Sequence, residues 1–73
     1  MKKTYKLRDL DCANCAAKME SAINKRPQVE VATVSFFTQK MTVTYAEGAD
    51  EVETLAQIKK VIRRVEPDCE VVG

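Results

Sequence analysis

Strand-like and helix-like patterns alternate along this chain in an order that strongly constrains its fold. Apolar and polar residues alternate over 4–10, which predicts a half-buried strand. Ala16, Met19 and Ile23 then recur at helical spacing and predict an amphipathic helix over 13–26, with a proline directly after it. The first third of the chain therefore predicts a strand followed by a helix.

The rest of the chain predicts a hairpin, a second helix and a last strand. Residues 29–37 are rich in β-branched and aromatic side chains, and 41–45 alternate, so both segments are predicted strands joined by a short turn. An apolar stripe from Val52 to Val65 predicts the second helix, and 69–72 predict the final strand. The order is strand, helix, strand, strand, helix, strand.

This order is that of a ferredoxin-like α+β sandwich. We expect an antiparallel four-stranded sheet with two helices on one face. A chain of 73 residues supplies only one modest core, so 1–73 are predicted to form a single domain.

Charge and cysteine content exclude several classes of partner. Twelve basic residues against 11 acidic ones create no strong field toward nucleic acid or an anionic membrane. No apolar run approaches the roughly 20 residues that span a bilayer, so direct membrane insertion is not expected. Three cysteines cannot all pair within one chain, which favours a reducing, cytoplasmic location.

Cys12 and Cys15 lie at the point where the first predicted strand gives way to the first helix. Two thiols one helical turn apart can bind the same ion, and the positive end of the helix dipole favours their thiolate forms. The chain contains no histidine, so its soft ligands must be sulfur, with carboxylates as oxygen partners. The spacing therefore indicates a metal-thiolate site.

With the run from Leu10 to Glu20 and the strands over 32–45, the chain resembles the heavy-metal-associated domain. This module occurs as small metallochaperones and at the amino termini of heavy-metal P-type ATPases. The family motif usually reads Gly-Met-x-Cys-x-x-Cys, and here Asp9 stands for the Gly and Leu10 for the Met. The resemblance implies a metal-binding module that is not itself an enzyme. Its partner would be the remainder of an ATP-driven, metal-translocating membrane ATPase.

The residue before the first cysteine bears on the choice of metal. In the family, copper-handling members commonly carry Thr at this position, whereas pumps for zinc, cadmium and lead resemble this chain in carrying Asp, here Asp11. Two thiolates and one carboxylate leave a divalent ion with one net negative charge, but leave copper(I) with two. We therefore expect Zn(II), Cd(II) or Pb(II) as the bound ion. The alternative role for Asp11 is a helix cap.

Cys69 is the third candidate thiol. It lies after the second helix, in a loop that the ferredoxin-like topology brings to the same end of the sheet as Cys12 and Cys15. Glu66 and Asp68 add anionic donors to this neighbourhood. Our hypothesis is that Cys69 joins the other two thiols on large soft ions such as lead or cadmium. The alternative is a small buried core residue.

Several functions remain open on sequence alone. One alternative is a free-standing copper(I) metallochaperone, in which Asp11 would have no part in binding the metal. A thiol-disulfide oxidoreductase would use Cys12 and Cys15 as a redox pair. A structural module, whose metal only stabilises the fold, would be largely unfolded without metal. Two copies bridging one ion through paired loops would be a further arrangement.

Overall fold

The computed structural model describes residues 1–72 and has the predicted element order. The elements are β1 (Lys2–Arg8), α1 (Ala13–Asn24), β2 (Val29–Ser35), β3 (Lys40–Tyr45), α2 (Glu51–Val65) and β4 (Glu70–Val72). The expected ferredoxin-like fold is confirmed. Gly73, the last residue of the predicted domain 1–73, lies outside the described residues.

The sheet has the strand order β2-β3-β1-β4, and each neighbouring pair is antiparallel. Near the end of β1, Lys6 pairs with Lys40 at the start of β3, and Arg8 pairs with Glu70 at the start of β4. The segments that precede β3 and β4 therefore lie at the same end of the sheet as the loop that follows β1. Three connections meet there: the β1–α1 loop, the β2–β3 turn and the α2–β4 loop.

The core lies between the sheet and the two helices. Met19 and Ile23 of α1 and Ile58 of α2 are fully buried, as are Met41 and Val43 in the sheet. Full burial of such a side chain contributes roughly 1.5–3 kcal/mol to stability. The amphipathic patterns of the sequence thus correspond to real packing faces.

The apolar face of α2 differs from the prediction at its first turn. Val52 was expected on the buried stripe but is 80% exposed, whereas Thr54 is 1% exposed and Val61 is also buried. Asp50 caps α2 by accepting a hydrogen bond from the N–H of Glu53 at 3.2 Å. Val52 is two residues before the buried Thr54, which is about 200° around the helix, so its side chain lies on the outer side of the first turn.

Candidate metal centre

The β1–α1 loop, residues 9–12, leaves the central strand by a sharp change of direction. Asp9 adopts a left-handed backbone conformation with φ of 62°. Aspartate tolerates this region better than most residues, although glycine is the usual choice. This chain thus has a positive φ at the position where the family motif has Gly. Leu10 then enters the core and is 1% exposed, as expected for the residue beneath the site.

Cys12 is the N-cap of α1. Its Sγ accepts a hydrogen bond from the backbone N–H of Cys15 at 3.2 Å, and its carbonyl oxygen accepts from Ala16 at 3.0 Å. The cap position is thus taken by a thiol, and the alternative role of Asp11 as the cap of this helix is wrong. The carboxylate of Asp11 is exposed beside the two cysteines.

The two half-buried thiols have unequal proton affinities. Hydrogen bonds from the side chain and backbone of Cys15 hold the pKa of the Cys12 thiol below its ordinary value. The reciprocal hydrogen bond to Cys12, burial, and the charges of Cys12 and Glu66 raise the pKa of Cys15 to about 11. Cys12 is therefore the first thiolate of the pair, and Cys15 keeps its proton until a cation replaces it.

Glu66 brings a carboxylate to the thiols from the far end of α2. The Sγ of Cys15 donates to Oε2 of Glu66 at 3.8 Å. Glu66 is the C-terminal cap residue of α2, and its N–H donates to the carbonyl of Ile62 at 2.8 Å, so the helix end fixes its backbone. From the sequence, Glu66 is only one of several anionic neighbours of Cys69. The topology selects it, because α2 ends directly over Cys15.

Cys69 lies in the core, with 4% of its surface exposed. Its N–H donates to the carbonyl of Glu66 at 3.0 Å, which holds its backbone in the α2–β4 loop. Burial raises the pKa of the Cys69 thiol, and the negative charges of Glu66, Asp9, Asp11 and Glu70 raise it further. The thiol therefore shares an acidic neighbourhood with the β1–α1 loop, but it is held as a neutral core group.

Within residues 1–72, no group of three or more cysteine and carboxylate side chains is gathered in a geometry that already fits a metal ion. The structure brings together two thiols, Cys12 and Cys15, with Glu66 against one of them. Asp11 is adjacent in the chain but exposed, and Cys69 is buried. A metal held by more than Cys12 and Cys15 would therefore require another donor to move toward the two thiols.

Neither helix within residues 1–72 combines the length and the apolar character needed to cross a membrane.

Comparison with known proteins places this geometry in a family. The heavy-metal-associated domain profile matches residues 4–68. The cadmium, zinc and cobalt-transporting ATPase of Helicobacter felis is 40% identical over 67 residues, which are 92% of this chain and 9% of that protein. The probable copper-importing P-type ATPase A of Enterococcus hirae is 38% identical over 48 residues, 66% of this chain and 7% of that protein. The chain thus spans less than a tenth of these relatives.

The fold also matches solved structures. The CopZ metallochaperone superposes with a TM-score of 0.75 over 99% of this chain and 100% of that one, at 22% sequence identity. Such an identity supports the shared fold alone. From the matched profile, the βαββαβ sandwich and the paired thiols, we conclude that the chain belongs to the heavy-metal-associated domain family.

Proposed function

We propose that this chain is a cytosolic metal-binding domain that carries Zn(II), Cd(II) or Pb(II) for a heavy-metal P-type ATPase. Cys12 and Cys15 are the thiolate ligands, and Asp11 supplies a carboxylate oxygen. Cys69 adds a third sulfur for the larger ions, cadmium and lead. The domain has no catalytic role of its own, and ATP hydrolysis and translocation would belong to the pump that it serves.

The observation that carries the choice of ion is the negative charge around the two thiols. Glu66 lies 3.8 Å from the Sγ of Cys15, and Asp11 adjoins Cys12 in the chain. Two thiolates neutralise a divalent ion, so a neighbouring carboxylate can still approach it as an oxygen ligand. Copper(I) is soft, is satisfied by two sulfurs, and would already carry a negative charge in the same site. The surroundings therefore favour a divalent ion.

The matched relatives do not decide this question, because a cadmium, zinc and cobalt pump and a copper pump match at 40% and 38% identity. The carboxylates of Asp11 and Glu66 favour a divalent ion over the copper(I) of a free-standing metallochaperone, for which they would only add repulsion.

The exposure of the β1–α1 loop allows a bound metal ion to be released as well as taken up. Cys12 and Cys15 are half-buried, and Asp11 and Ala13 are exposed. An incoming sulfur or oxygen donor can therefore reach the ion before an outgoing ligand leaves. A closed site with four protein ligands would retain its ion as a structural centre. The open loop thus supports a transfer role, either delivery to the pump or regulation of it.

A competitive titration of the reduced domain tests the proposal. Zinc, cadmium, lead and copper(I) are titrated anaerobically against a chelator, with the ultraviolet sulfur-to-metal charge-transfer band as signal, for the wild type and Asp11→Ala. We expect the substitution to weaken zinc and cadmium binding at least about tenfold and to spare copper(I). If copper(I) binds tightly and Asp11→Ala leaves the zinc affinity unchanged, the domain would instead serve copper trafficking.

A parallel assay addresses the redox alternative. A thiol-disulfide oxidoreductase using Cys12 and Cys15 would turn over in a disulfide-reduction assay, with a potential in the cellular range of roughly −180 to −300 mV. We expect no turnover, because the proposed role requires only that the thiols bind and release an ion.

A further inference from the structure

Gln39, in the β2–β3 turn, is hydrogen-bonded through its side chain to the β1–α1 loop. Its Oε1 accepts from the N–H of Leu10 at 3.0 Å, and its Nε2 donates to the carbonyl of Leu10 at 2.5 Å. The same Nε2 donates to the carbonyl of Phe36 at 2.9 Å within the turn. The backbone carbonyl of Gln39 also accepts from Leu7 at 2.7 Å, near the end of β1. One residue thus joins the turn to the strand end and the loop.

The amide of Gln39 is fully used in this arrangement. Both Nε2 hydrogens have a carbonyl acceptor, and the oxygen has a backbone donor. Leu10 likewise has both of its backbone polar groups paired with a single side chain, 29 residues away in the sequence. Two hydrogen bonds therefore hold Leu10, and together they restrain the orientation of its backbone as well as its position.

The backbone of Gln39 is in an unfavourable conformation for its residue type. Its φ is 55°, in the left-handed region where glycine or asparagine is the usual residue. A glutamine that is held there has no conformational advantage for the turn itself. Its long side chain, however, reaches Leu10 from this position. A strained residue with such a contact is a candidate for a functional role.

The restrained residue lies next to the proposed ligands. Leu10 is followed by Asp11 and Cys12, and its own side chain is 1% exposed in the core. A loop that is disordered before metal binding must lose backbone freedom when it binds, and this loss weakens the observed affinity. Ordering Leu10 in advance therefore favours binding at the residues that follow it.

We propose that Gln39 is a positioning residue of the metal site, which orders the loop 9–12 so that Asp11, Cys12 and Cys15 present their donors together. The inference rests on the proposed function, because the loop is taken to be the metal site. Gln39 itself touches no metal in this arrangement and acts through the backbone of Leu10.

Gln39→Asn tests this role with little change in chemistry. Asparagine keeps the amide and tolerates a positive φ, but its side chain is one methylene shorter and no longer reaches Leu10. Gln39→Gly removes the side chain and also suits the backbone. The matched control is Gln57→Asn, the same shortening on α2, where Oε1 of Gln57 accepts from Arg26 at 3.2 Å. Cadmium affinity, melting temperature and amide hydrogen exchange of the metal-free domain are measured for each.

We expect both Gln39 variants to accelerate exchange of the Leu10 amide and to weaken cadmium binding about tenfold, without lowering the melting temperature. Gln57→Asn should leave both affinity and exchange at Leu10 unchanged. Unchanged cadmium affinity in Gln39→Asn would overturn the positioning role, as would an affinity loss with unaltered exchange at Leu10. A wild-type domain that binds neither zinc nor cadmium would instead overturn the proposed function, and with it this inference.

Discussion

The thiol of Cys15 donates a hydrogen bond to the carboxylate of Glu66, with Sγ and Oε2 3.8 Å apart, although 51 residues separate them in the chain. The contact joins the first turn of α1 to the end of α2. It places a negative oxygen beside one of the two proposed sulfur ligands. A divalent ion at the thiols would replace the shared proton and could take this oxygen as a further ligand.

Replacing Glu66 with glutamine should weaken binding of divalent ions. Glu66→Gln keeps the shape of the side chain but removes its charge, so we expect zinc and cadmium affinities to fall about tenfold and copper(I) affinity to hold or rise. The control is Glu30→Gln, an exposed position next to Val29, which pairs with Tyr45 at the opposite end of the sheet. Equal losses in the two variants, measured by chelator competition, would contradict a specific role for Glu66.

The three thiols should react with an alkylating reagent in the order Cys12, Cys15, Cys69. The pKa of Cys12 is lowered by its hydrogen bonds from Cys15, whereas the pKa of Cys15 is raised to about 11. Cys69 is buried and its pKa is also raised. Only thiolates react rapidly. Iodoacetamide labelling of the metal-free domain near pH 8, followed by peptide mass spectrometry, measures the order.

The same pKa shifts predict how stability changes with pH. A lowered pKa means that the Cys12 thiolate stabilises the fold above its unfolded pKa, and this contribution is lost as the pH falls through the folded value. The raised pKa values of Cys15 and Cys69 act in the opposite direction, so their contribution is lost as the pH rises above about 9. Melting temperature measured against pH checks these contributions, and stability that does not fall as the pH rises above about 9 would contradict the raised pKa values of Cys15 and Cys69. In the labelling experiment, alkylation of Cys69 as fast as that of Cys12 would contradict the burial of Cys69 and the raised pKa of its thiol.

Cys69→Ala should separate large from small ions. If Cys69 joins Cys12 and Cys15 on lead and cadmium, its removal lowers affinity and charge-transfer intensity for these ions and leaves zinc binding unchanged. Because Cys69 is 4% exposed, the substitution also leaves a small cavity, so a loss of about 1 kcal/mol in stability is expected. Melting temperature is therefore measured alongside the titration. If the lead and cadmium spectra of Cys69→Ala match those of the wild type, Cys69 is not a ligand and has only a role in the core.

Asp9→Gly should stabilise the domain. The left-handed backbone conformation of Asp9, with φ of 62°, costs a residue other than glycine roughly 1–2 kcal/mol of stability. Glycine avoids this cost, but its greater freedom in the unfolded chain lowers the stability by about 0.5–1 kcal/mol. A net gain of about 0.5 kcal/mol should appear as a higher melting temperature. Asp68→Gly, in the α2–β4 loop, is the control and should show no gain. A lower melting temperature for Asp9→Gly would contradict this reading of the turn.

The order of elements was predictable from the sequence because each element carries its own local signal. Alternation identified β1 and β3, helical spacing identified α1 and α2, and the family motif indicated Cys12 and Cys15. The errors lie where local patterns end. Val52 continues the apolar stripe of α2 in the sequence, yet it is 80% exposed, because the buried face runs through Thr54 and Ile58 and Val52 lies on the opposite side of the helix from Thr54.

The relationships within the candidate site depend on the tertiary structure. The sequence alone determined that two thiols and an aspartate lie together, because they are neighbours in the chain. It did not determine that Glu66 contacts Cys15, that Gln39 holds Leu10, or that Cys69 is buried, because these contacts join residues far apart in the chain. Only the antiparallel pairing of β1 with both β3 and β4 brings the three connections to one end of the sheet.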